Sequence, residues 1–276
     1  MLYRTSVPRP PLAGLVDHLW SFEGASSQRK ERILPSGTIE LVVNLRENEV
    51  RVEDPGRPGG SRRFSGTVVS GTYSRPFVID ARQHESMLGV HFRPGGAFPF
   101  LGVPASELFD SHVDLTCLWG DSALALRERL GSVQTVLERF RIVEGVLASR
   151  LRTGPERHRA VPAALHLFAR GGKGLRSRDV AREVGLCQRR FIQVFRSEVG
   201  LPPKLFSRLQ RFQRARALAR RAPRPDWAEL ALSCGYFDQA HLIHEFREFA
   251  GVTPSDSLRL DPEDARLKAG HILLDG

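Results

Sequence analysis

The sequence is poor in cysteine and has no long apolar run, and both shortages exclude classes of protein. Its cysteines, Cys117, Cys187 and Cys234, are odd in number, far apart and never in a C-x-x-C pair. This pattern argues against a disulfide framework and a zinc site and favours a reducing compartment. Nothing between Met1 and Gly24 is apolar enough for a signal peptide or a membrane span. We therefore expect a cytoplasmic protein with no membrane partner.

Lysine is also scarce: the chain has 4 lysines and 37 arginines. Its formal net charge is +10. Residues 155–260 carry 20 Lys and Arg against 10 Asp and Glu, residues 1–154 carry 19 against 17, and residues 261–276 carry 2 against 4. The excess positive charge thus lies in one segment, as a phosphate-binding surface requires. The alternative is a solvated, arginine-rich face that reflects a GC-rich genome.

One pattern occurs twice between Ser177 and Arg259. Its first copy has Asp179-Val180-Ala181, Gly185-Leu186, Phe191, Phe195-Arg196, Gly200-Leu201 and Pro203. Its second copy has Glu229-Leu230-Ala231, Gly235-Tyr236, Leu242, Phe246-Arg247, Gly251-Val252 and Pro254. The offset is 50 residues up to the Gly-hydrophobic pair and 51 after it, so the turn of the second copy contains one inserted residue. One supersecondary unit has been used twice.

Each copy predicts a short helix, a tight turn at glycine and a second helix with an apolar stripe. The stripes consist of Phe191, Val194, Phe195 and Val199 in the first copy and of Leu242, Phe246 and Phe249 in the second. The remaining positions form a polar, basic face. This is the helix-turn-helix arrangement, whose second helix enters the major groove. We call these second helices the first and second reading helix.

The segment between the copies, from Pro203 to Arg221, has no internal glycine and no proline beyond its first residue, and it is rich in good helix formers. It predicts one helix about 28 Å long. That length is comparable with the ~34 Å between successive major-groove faces on one side of B-DNA. The two reading helices could therefore contact two adjacent grooves.

At these residues the chain resembles the AraC family of bacterial transcription regulators. The resemblance covers about 100 residues and is carried by the run from Ala231 to Leu242, ALSCGYFDQAHL, with Phe246-Arg247 and the segment from Gly251 to Pro254 after it. It implies a seven-helix domain with two helix-turn-helix units that binds DNA sequence-specifically. One departure is Cys187, where the family usually has a serine that caps the first reading helix; sulfur caps poorly.

The resemblance also implies which side chains contact DNA. The groove-facing residues would be Arg189, Ile192 and Gln193 in the first reading helix, and Gln239, Ala240, Ile243 and His244 in the second. Arg190, Arg196 and Arg247 would contact phosphate, and His241 is a further DNA-binding candidate. The expected partner is double-stranded operator DNA; RNA polymerase, a small effector and a second copy of the chain are further candidates. The expected location is the cytoplasm, at the nucleoid.

The N-terminal half predicts short strands, so the chain as a whole is expected to be α+β. The strands are expected at Val16–Phe22, Ile33–Leu45, Glu49–Val52, Phe64–Ser70, Phe77–Ala81 and Met87–Phe92. Strands at such intervals predict a β-barrel or a sandwich. Segments such as Leu34-Pro35-Ser36-Gly37 and Gly89 to Gly96 are similar to the cupin-like sensor domain of some AraC-type regulators, which implies ligand sensing.

Helices are expected after the strands, at Ser122–Leu130 and Ser132–Leu151. The second carries an apolar stripe that either packs on the β-domain or forms a dimer. A polar segment from Thr153 to Arg159 is the expected domain boundary. The division is then residues 1–118 for ligand sensing, 119–153 for a helical connector that could dimerise, 154–260 for DNA binding and 261–276 for a tail.

An enzyme interpretation of the N-terminal half has little support. His84 and His91, with Glu85, suggest a metal centre, but the H-x-H pair and downstream Glu of a cupin metal site are missing. Cys117 has no base near it in sequence, which argues against a nucleophile. The pair His241 and His244 could ligate a metal, but a DNA contact explains it more simply. We expect no enzyme, no metal and no cofactor; the alternative is a barrel enzyme or DNA-repair protein with a DNA-binding module.

Overall fold

The computed structural model describes residues 2–24, 30–53, 60–83, 85–170, 175–222, 224–260 and 271–274. Its class is α+β, as expected, with strands in the N-terminal half and helices in the C-terminal half. No helix within these ranges is long and apolar enough to cross a membrane.

The strands form two antiparallel sheets. They are β1 (Leu2–Ser6), β2 (Val16–Glu23), β3 (Lys30–Ile33), β4 (Glu40–Asn44), β5 (Glu49–Glu53), β6 (Ser61–Ser65), β7 (Thr67–Ser70), β8 (Phe77–Asp80), β9 (Ser86–Phe92), β10 (His112–Asp114) and β11 (His271–Leu274). The first sheet has the order β1-β2-β9-β4-β7-β10 and the second the order β11-β3-β8-β5-β6. In the described part of the chain the sheets do not close into one barrel, so the sandwich alternative describes this half.

The first sheet is the middle layer of the N-terminal half. On β4, Leu41 and Val43 are buried on the side where the connector helices pack, whereas Val42 belongs to the small core shared with the second sheet. This alternation follows from the two-residue period of a strand. A strand buried on both faces needs apolar residues at every position, which explains why Leu41, Val42 and Val43 form a continuous apolar run.

Two predicted strands are each divided in the structure. Of the run Ile33–Leu45, only Ile33 belongs to β3 and Glu40–Asn44 form β4, because Pro35, which has no N–H, and Gly37, with a φ of 78°, lie between them. The run Phe64–Ser70 is broken at Gly66, where the chain passes from the second sheet to the first. The predicted strands at Val16, Glu49, Phe77 and Met87 are confirmed within one residue at each end.

The helices follow in the order α1 (Phe98–Leu101), α2 (Leu115–Trp119), α3 (Asp121–Gly131), α4 (Val136–Leu151), α5 (Ala160–Arg170), α6 (Ser177–Glu183), α7 (Gln188–Val199), α8 (Pro203–Ala219), α9 (Trp227–Ser233), α10 (Gln239–Ala250) and α11 (Pro254–Arg259). Helix α8 contacts α5, α7, α9 and α10 and is the centre of the C-terminal core. Edge-to-face phenylalanine pairs fill this core, with Phe206 against Phe195 and Phe212 against Phe246.

Helix α4 packs its apolar stripe on the β-domain. It starts in a capping box in which the Thr135 hydroxyl accepts from the Glu138 N–H at 3.2 Å. Val136, Phe140, Val143 and Leu147 are buried in the core that α4 shares with the first sheet. These four side chains are therefore not available to a second copy. Dimerisation through other residues stays a prediction.

The burial of this stripe predicts a sharp contrast between neighbouring positions of α4. Phe140→Ala should lower the free energy of unfolding by about 3–5 kcal/mol, because it opens a cavity in a close-packed core. Leu137 is 57% exposed on the same helix, so Leu137→Ala should change stability by less than ~0.5 kcal/mol. Urea unfolding of the full-length variants, followed by circular dichroism, measures both. Equal losses in the two variants would contradict this packing.

Candidate nucleic-acid interface

Both repeat copies make the same turn before the reading helix. Gly185 has a φ of 73° and Gly235 a φ of 83°, a region that side-chain-bearing residues rarely adopt. The next residue closes the turn with the same bond in each copy, from Leu186 N to Ala181 O and from Tyr236 N to Ala231 O, both at 2.9 Å. This is the Schellman arrangement at a helix end. The predicted duplication is thus a duplication of backbone geometry.

The first reading helix is α7, and its polar face lies in solvent. The exposed side chains are Arg189, Arg190, Ile192, Gln193 and Arg196, all five of the DNA-contact residues expected in this helix. The apolar stripe faces the core, where Phe191 and Phe195 are 1% or less exposed. Arg190 Nη1 donates to Gln193 Oε1 at 3.1 Å, so these two side chains meet on the exposed face.

The second reading helix is α10, and most of its expected contact residues are exposed as well. They are Gln239, Ala240, His244 and Arg247, while Ile243 is partly exposed. His241 differs, because its Nδ1 accepts from the Phe237 N–H at 3.4 Å and its Nε2 lies 3.7 Å from Glu245 Oε1. Its ring thus contacts the protein's own turn, which leaves less of it for DNA.

The two reading helices begin differently. Asp238 precedes α10, and its carboxylate accepts from the His241 N–H at 2.7 Å, which is an N-cap. Cys187 precedes α7 and makes no side-chain capping bond. This confirms the expectation that sulfur caps poorly, although α7 still starts at Gln188, directly after it.

A buried carboxylate fastens the back of α10 to α8. Glu245 is 1% exposed and accepts from Arg208 Nε at 2.8 Å and from Arg211 Nη2 at 2.6 Å. The Arg211 guanidinium also lies 4.6 Å from the ring centre of Tyr236, in the turn before α10. Through Arg208 and Arg211, α8 therefore holds both the second reading helix and its turn.

A second buried carboxylate fastens the back of α7. Glu198 is 4% exposed and accepts from the His158 N–H at 2.6 Å, and the Arg157 guanidinium lies 3.6 Å away. Burial raises the pKa of Glu198 above its usual value, although the His158 N–H and the Arg157 charge lower it. The segment that joins the two halves of the chain is thus attached to the first reading helix.

Several contacts join the N-terminal half to the helical half. Leu34, from the loop after β3, is 2% exposed and belongs to the C-terminal core. The Pro35 carbonyl accepts from Gln213 Nε2 at 2.6 Å, and a Cβ at Gly37 would lie 3.4 Å from the ring of Phe206. At the end of α10, Arg32 Nη1 donates to the Ala250 carbonyl at 3.2 Å.

The same loop borders a cavity of about 30 Å³ between the sheets, which is room for roughly two water molecules. Its lining includes Ser36, Thr38, Glu40, Tyr73 and His91. Thr38 Oγ1 and His91 Nε2 are 3.2 Å apart. Burial lowers the pKa of His91, but the Glu40 and nearby Asp17 carboxylates outweigh it and raise that pKa above its ordinary value.

The metal-site hypotheses find no support in the part of the chain that the structure describes. No cluster of three or more His, Cys, Asp or Glu side chains within it could hold a metal ion. His84 lies outside the described residues. Cys117 is exposed on α2.

Two family models match the chain. A helix-turn-helix domain matches residues 180–259, which contain both reading helices, and a domain of unknown function, DUF6597, matches residues 4–114. The matched helix-turn-helix segment contains the duplicated turns, the exposed polar faces and the signature run from Ala231 to Leu242. The C-terminal part of the chain therefore carries a helix-turn-helix domain. No curated protein matches the chain.

Solved structures similar to this chain include bacterial proteins with AraC-type DNA-binding domains. A transcriptional regulator with an AraC-type DNA-binding domain from Chromobacterium violaceum is 21% identical, with a TM-score of 0.36, over 38% of this chain and 95% of its own. The DNA-binding domain of AdpA in complex with a target DNA is 21% identical, with a TM-score of 0.33, over 36% and 89%. ToxT from Vibrio cholerae is 10% identical, with a TM-score of 0.45, over 93% and 98%.

The carboxylates behind the two reading helices were not among the residues expected from sequence. Glu245 lies 34 and 37 residues from its arginine partners, and no local spacing indicates such a pair. One signal was available: Glu245 lies three residues after Leu242 and four before Phe249, so it shares their apolar face, where a charged side chain needs a partner.

This attachment predicts a large difference between two glutamates of α10. Glu245→Ala should lower the free energy of unfolding by about 1.5–3 kcal/mol, because it removes the buried acceptor that the partly exposed Arg208 and Arg211 guanidiniums share. Glu248 also bonds Arg208, but its side chain is 33% exposed, so Glu248→Ala should lower the free energy of unfolding by less than ~1 kcal/mol. Thermal and urea unfolding of the full chain give both values. Similar small losses would show that Glu245 does not hold α10 to α8.

Proposed function

We propose that this protein is an AraC-type regulator that reads operator DNA with its two helix-turn-helix units in adjacent major grooves. The observation that carries the proposal is the pair of exposed polar faces on α7 and α10, two helices that both pack on α8. Helix α8 has 17 residues, or about 26 Å at 1.5 Å per residue. With the side chains of both reading helices added, that span is compatible with one turn of B-DNA, ~34 Å.

In this proposal the residues of the two polar faces divide into two roles. Side chains that read base edges are Arg189, Ile192 and Gln193 on α7, and Gln239, Ala240, Ile243 and His244 on α10. Side chains that contact phosphate are Arg190, Arg196 and Arg247. His241 would bind DNA only through the part of its ring that is free of the turn. Gln239 is the strongest base reader, since an amide can bond adenine at two atoms.

We further propose that residues 1–118 sense a small ligand and that residues 154–260 bind DNA. Residues 119–153 would connect these two domains, and residues 261–276 would form a tail. Within this tail, residues 271–274 pair with β3. The support is the shared loop: residues 34–38 border the cavity on one side and contact α8 on the other. The cavity has room for roughly two waters. A ligand bound there would contact this loop, whose Leu34 and Pro35 contact the helices.

The setting of this function follows from DNA binding. The protein would act at the nucleoid in the cytoplasm, with RNA polymerase and a second copy of the chain as candidate partners. None of these partners is needed for the base-reading proposal.

The two-groove proposal predicts separate effects for the two reading helices. Gln193→Ala should relax base preference in one cluster of base pairs, and Gln239→Ala in another cluster about ten base pairs away. Removing one strong base contact should cost ~1–3 kcal/mol of discrimination. Selection of sites from random duplex DNA, by the wild type and each variant, measures this directly. If both variants blurred the same base pairs, the two helices would not occupy adjacent grooves.

Arg196→Ala is the matched control on the first reading helix. It removes a proposed phosphate contact, so it should weaken all sequences alike and make the slope of log affinity against log salt shallower by about one unit. Gln193→Ala should leave that slope unchanged, because glutamine carries no charge. An affinity that did not depend on salt in the wild type would refute DNA binding through these arginines.

The loop proposal predicts that Leu34 holds the two halves together. Leu34→Ala should increase protease cleavage between α4 and α5, because it removes apolar contact between the loop and the helical core. Leu2 is 44% exposed on the edge strand β1, so Leu2→Ala should leave the cleavage rate unchanged. Equal rates in both variants would mean that the loop does not couple the halves.

A further inference from the structure

The inserted residue of the second copy is Phe237. The residue that closes the turn is Leu186 in the first copy and Tyr236 in the second, 50 positions apart. The residue that precedes the reading helix is Cys187 in the first and Asp238 in the second, 51 positions apart. Phe237 lies between Tyr236 and Asp238 and has no counterpart in the first copy.

The extra side chain is not used by the fold. Phe237 is 84% exposed, the highest value among the large apolar side chains of the described residues. Its backbone is held in place, because its N–H donates to His241 Nδ1 at 3.4 Å and the next residue caps α10. The ring is thus presented to solvent from a fixed backbone position.

The position of the Phe237 ring indicates what it contacts. Phe237 directly precedes the N-terminal end of α10, and it is the N-terminal residues of a recognition helix that contact base edges. Its neighbours Gln239 and Ala240 are exposed at the same end. The surrounding segment, residues 155–260, carries a net charge of +10, which complements DNA.

We propose that Phe237 is a DNA-contacting residue of the second reading helix, whose ring packs on the C5-methyl group of a thymine in the major groove. This inference rests on the proposed function, since it needs α10 in the groove. The chemistry fits an apolar ring, because the thymine methyl is the apolar group that the major groove displays, and side chains such as phenylalanine contact it. The first reading helix has no equivalent contact, so the two units read DNA with different means.

The first test separates apolar contact from charge. On a duplex selected by the wild type, Phe237→Ala should weaken binding about 5- to 20-fold, because apolar area is no longer buried. The salt slope should stay at the wild-type value, whereas Arg247→Ala should make it shallower by about one unit. Phe237→Leu, which keeps an apolar side chain, should recover part of the affinity. The melting temperature should be unchanged in both Phe237 variants, since the ring is exposed.

The second test locates the methyl group. Replacing thymines of the duplex one at a time with deoxyuridine removes only the methyl. One replacement, within the base-pair cluster that Gln239 governs, should weaken the wild type and leave Phe237→Ala unaffected, which is the signature of direct coupling.

Several results would overturn the inference. They are unchanged affinity in Phe237→Ala, a loss of affinity that no deoxyuridine replacement reproduces, and unchanged DNA binding with reduced transcription, which would indicate a protein partner instead. Failure of the proposed function is distinguishable from these, because the wild type itself would then show no salt-dependent binding to any duplex.

Discussion

The geometry of the second reading helix depends on one buried carboxylate. Glu245 carries a charge on the side of α10 that faces the core, and a lone buried charge would be strongly unfavourable. Arg208 and Arg211 of α8 remove that penalty and in doing so determine how far α10 lies from α8. A purely apolar contact would tolerate sliding of one helix along the other, whereas two directed hydrogen bonds to one carboxylate do not. The distance between the reading helices is therefore set by charge pairing as well as by packing.

The first reading helix uses a carboxylate of its own, with a different partner. Glu198 bonds the backbone of His158 and lies near Arg157, both in the segment that connects the two halves. Both reading helices pack on α8, but the buried carboxylate of the second is paired with α8, whereas that of the first is bonded to the connection between the two halves. The two copies of the repeat are therefore bonded to different parts of the fold.

Local patterns predicted what local forces determine. The burial of Phe191 and Phe195 and of Leu242 and Phe246 follows from helical spacing alone, and so does the exposure of the polar faces. The duplication made the prediction stronger, because two segments of related pattern had to make the same turn. Leu34 shows the limit: its neighbours predict a strand, but β3 ends at Ile33, and Leu34 is buried in the C-terminal core.

Elements that form through distant pairing were beyond any local signal. Strand β1 is mostly exposed and is held by its pairing with β2, and β11 pairs with β3 across more than 230 residues. Nothing in the composition of either segment indicates its partner. Glu245 is the same case in the site, because the sequence shows a charge on an apolar stripe but not the arginines that neutralise it. What the sequence predicts is the need for a partner, and only the fold supplies its identity. Both partners of Glu245, Arg208 and Arg211, lie on α8, the helix whose length also separates the two reading helices.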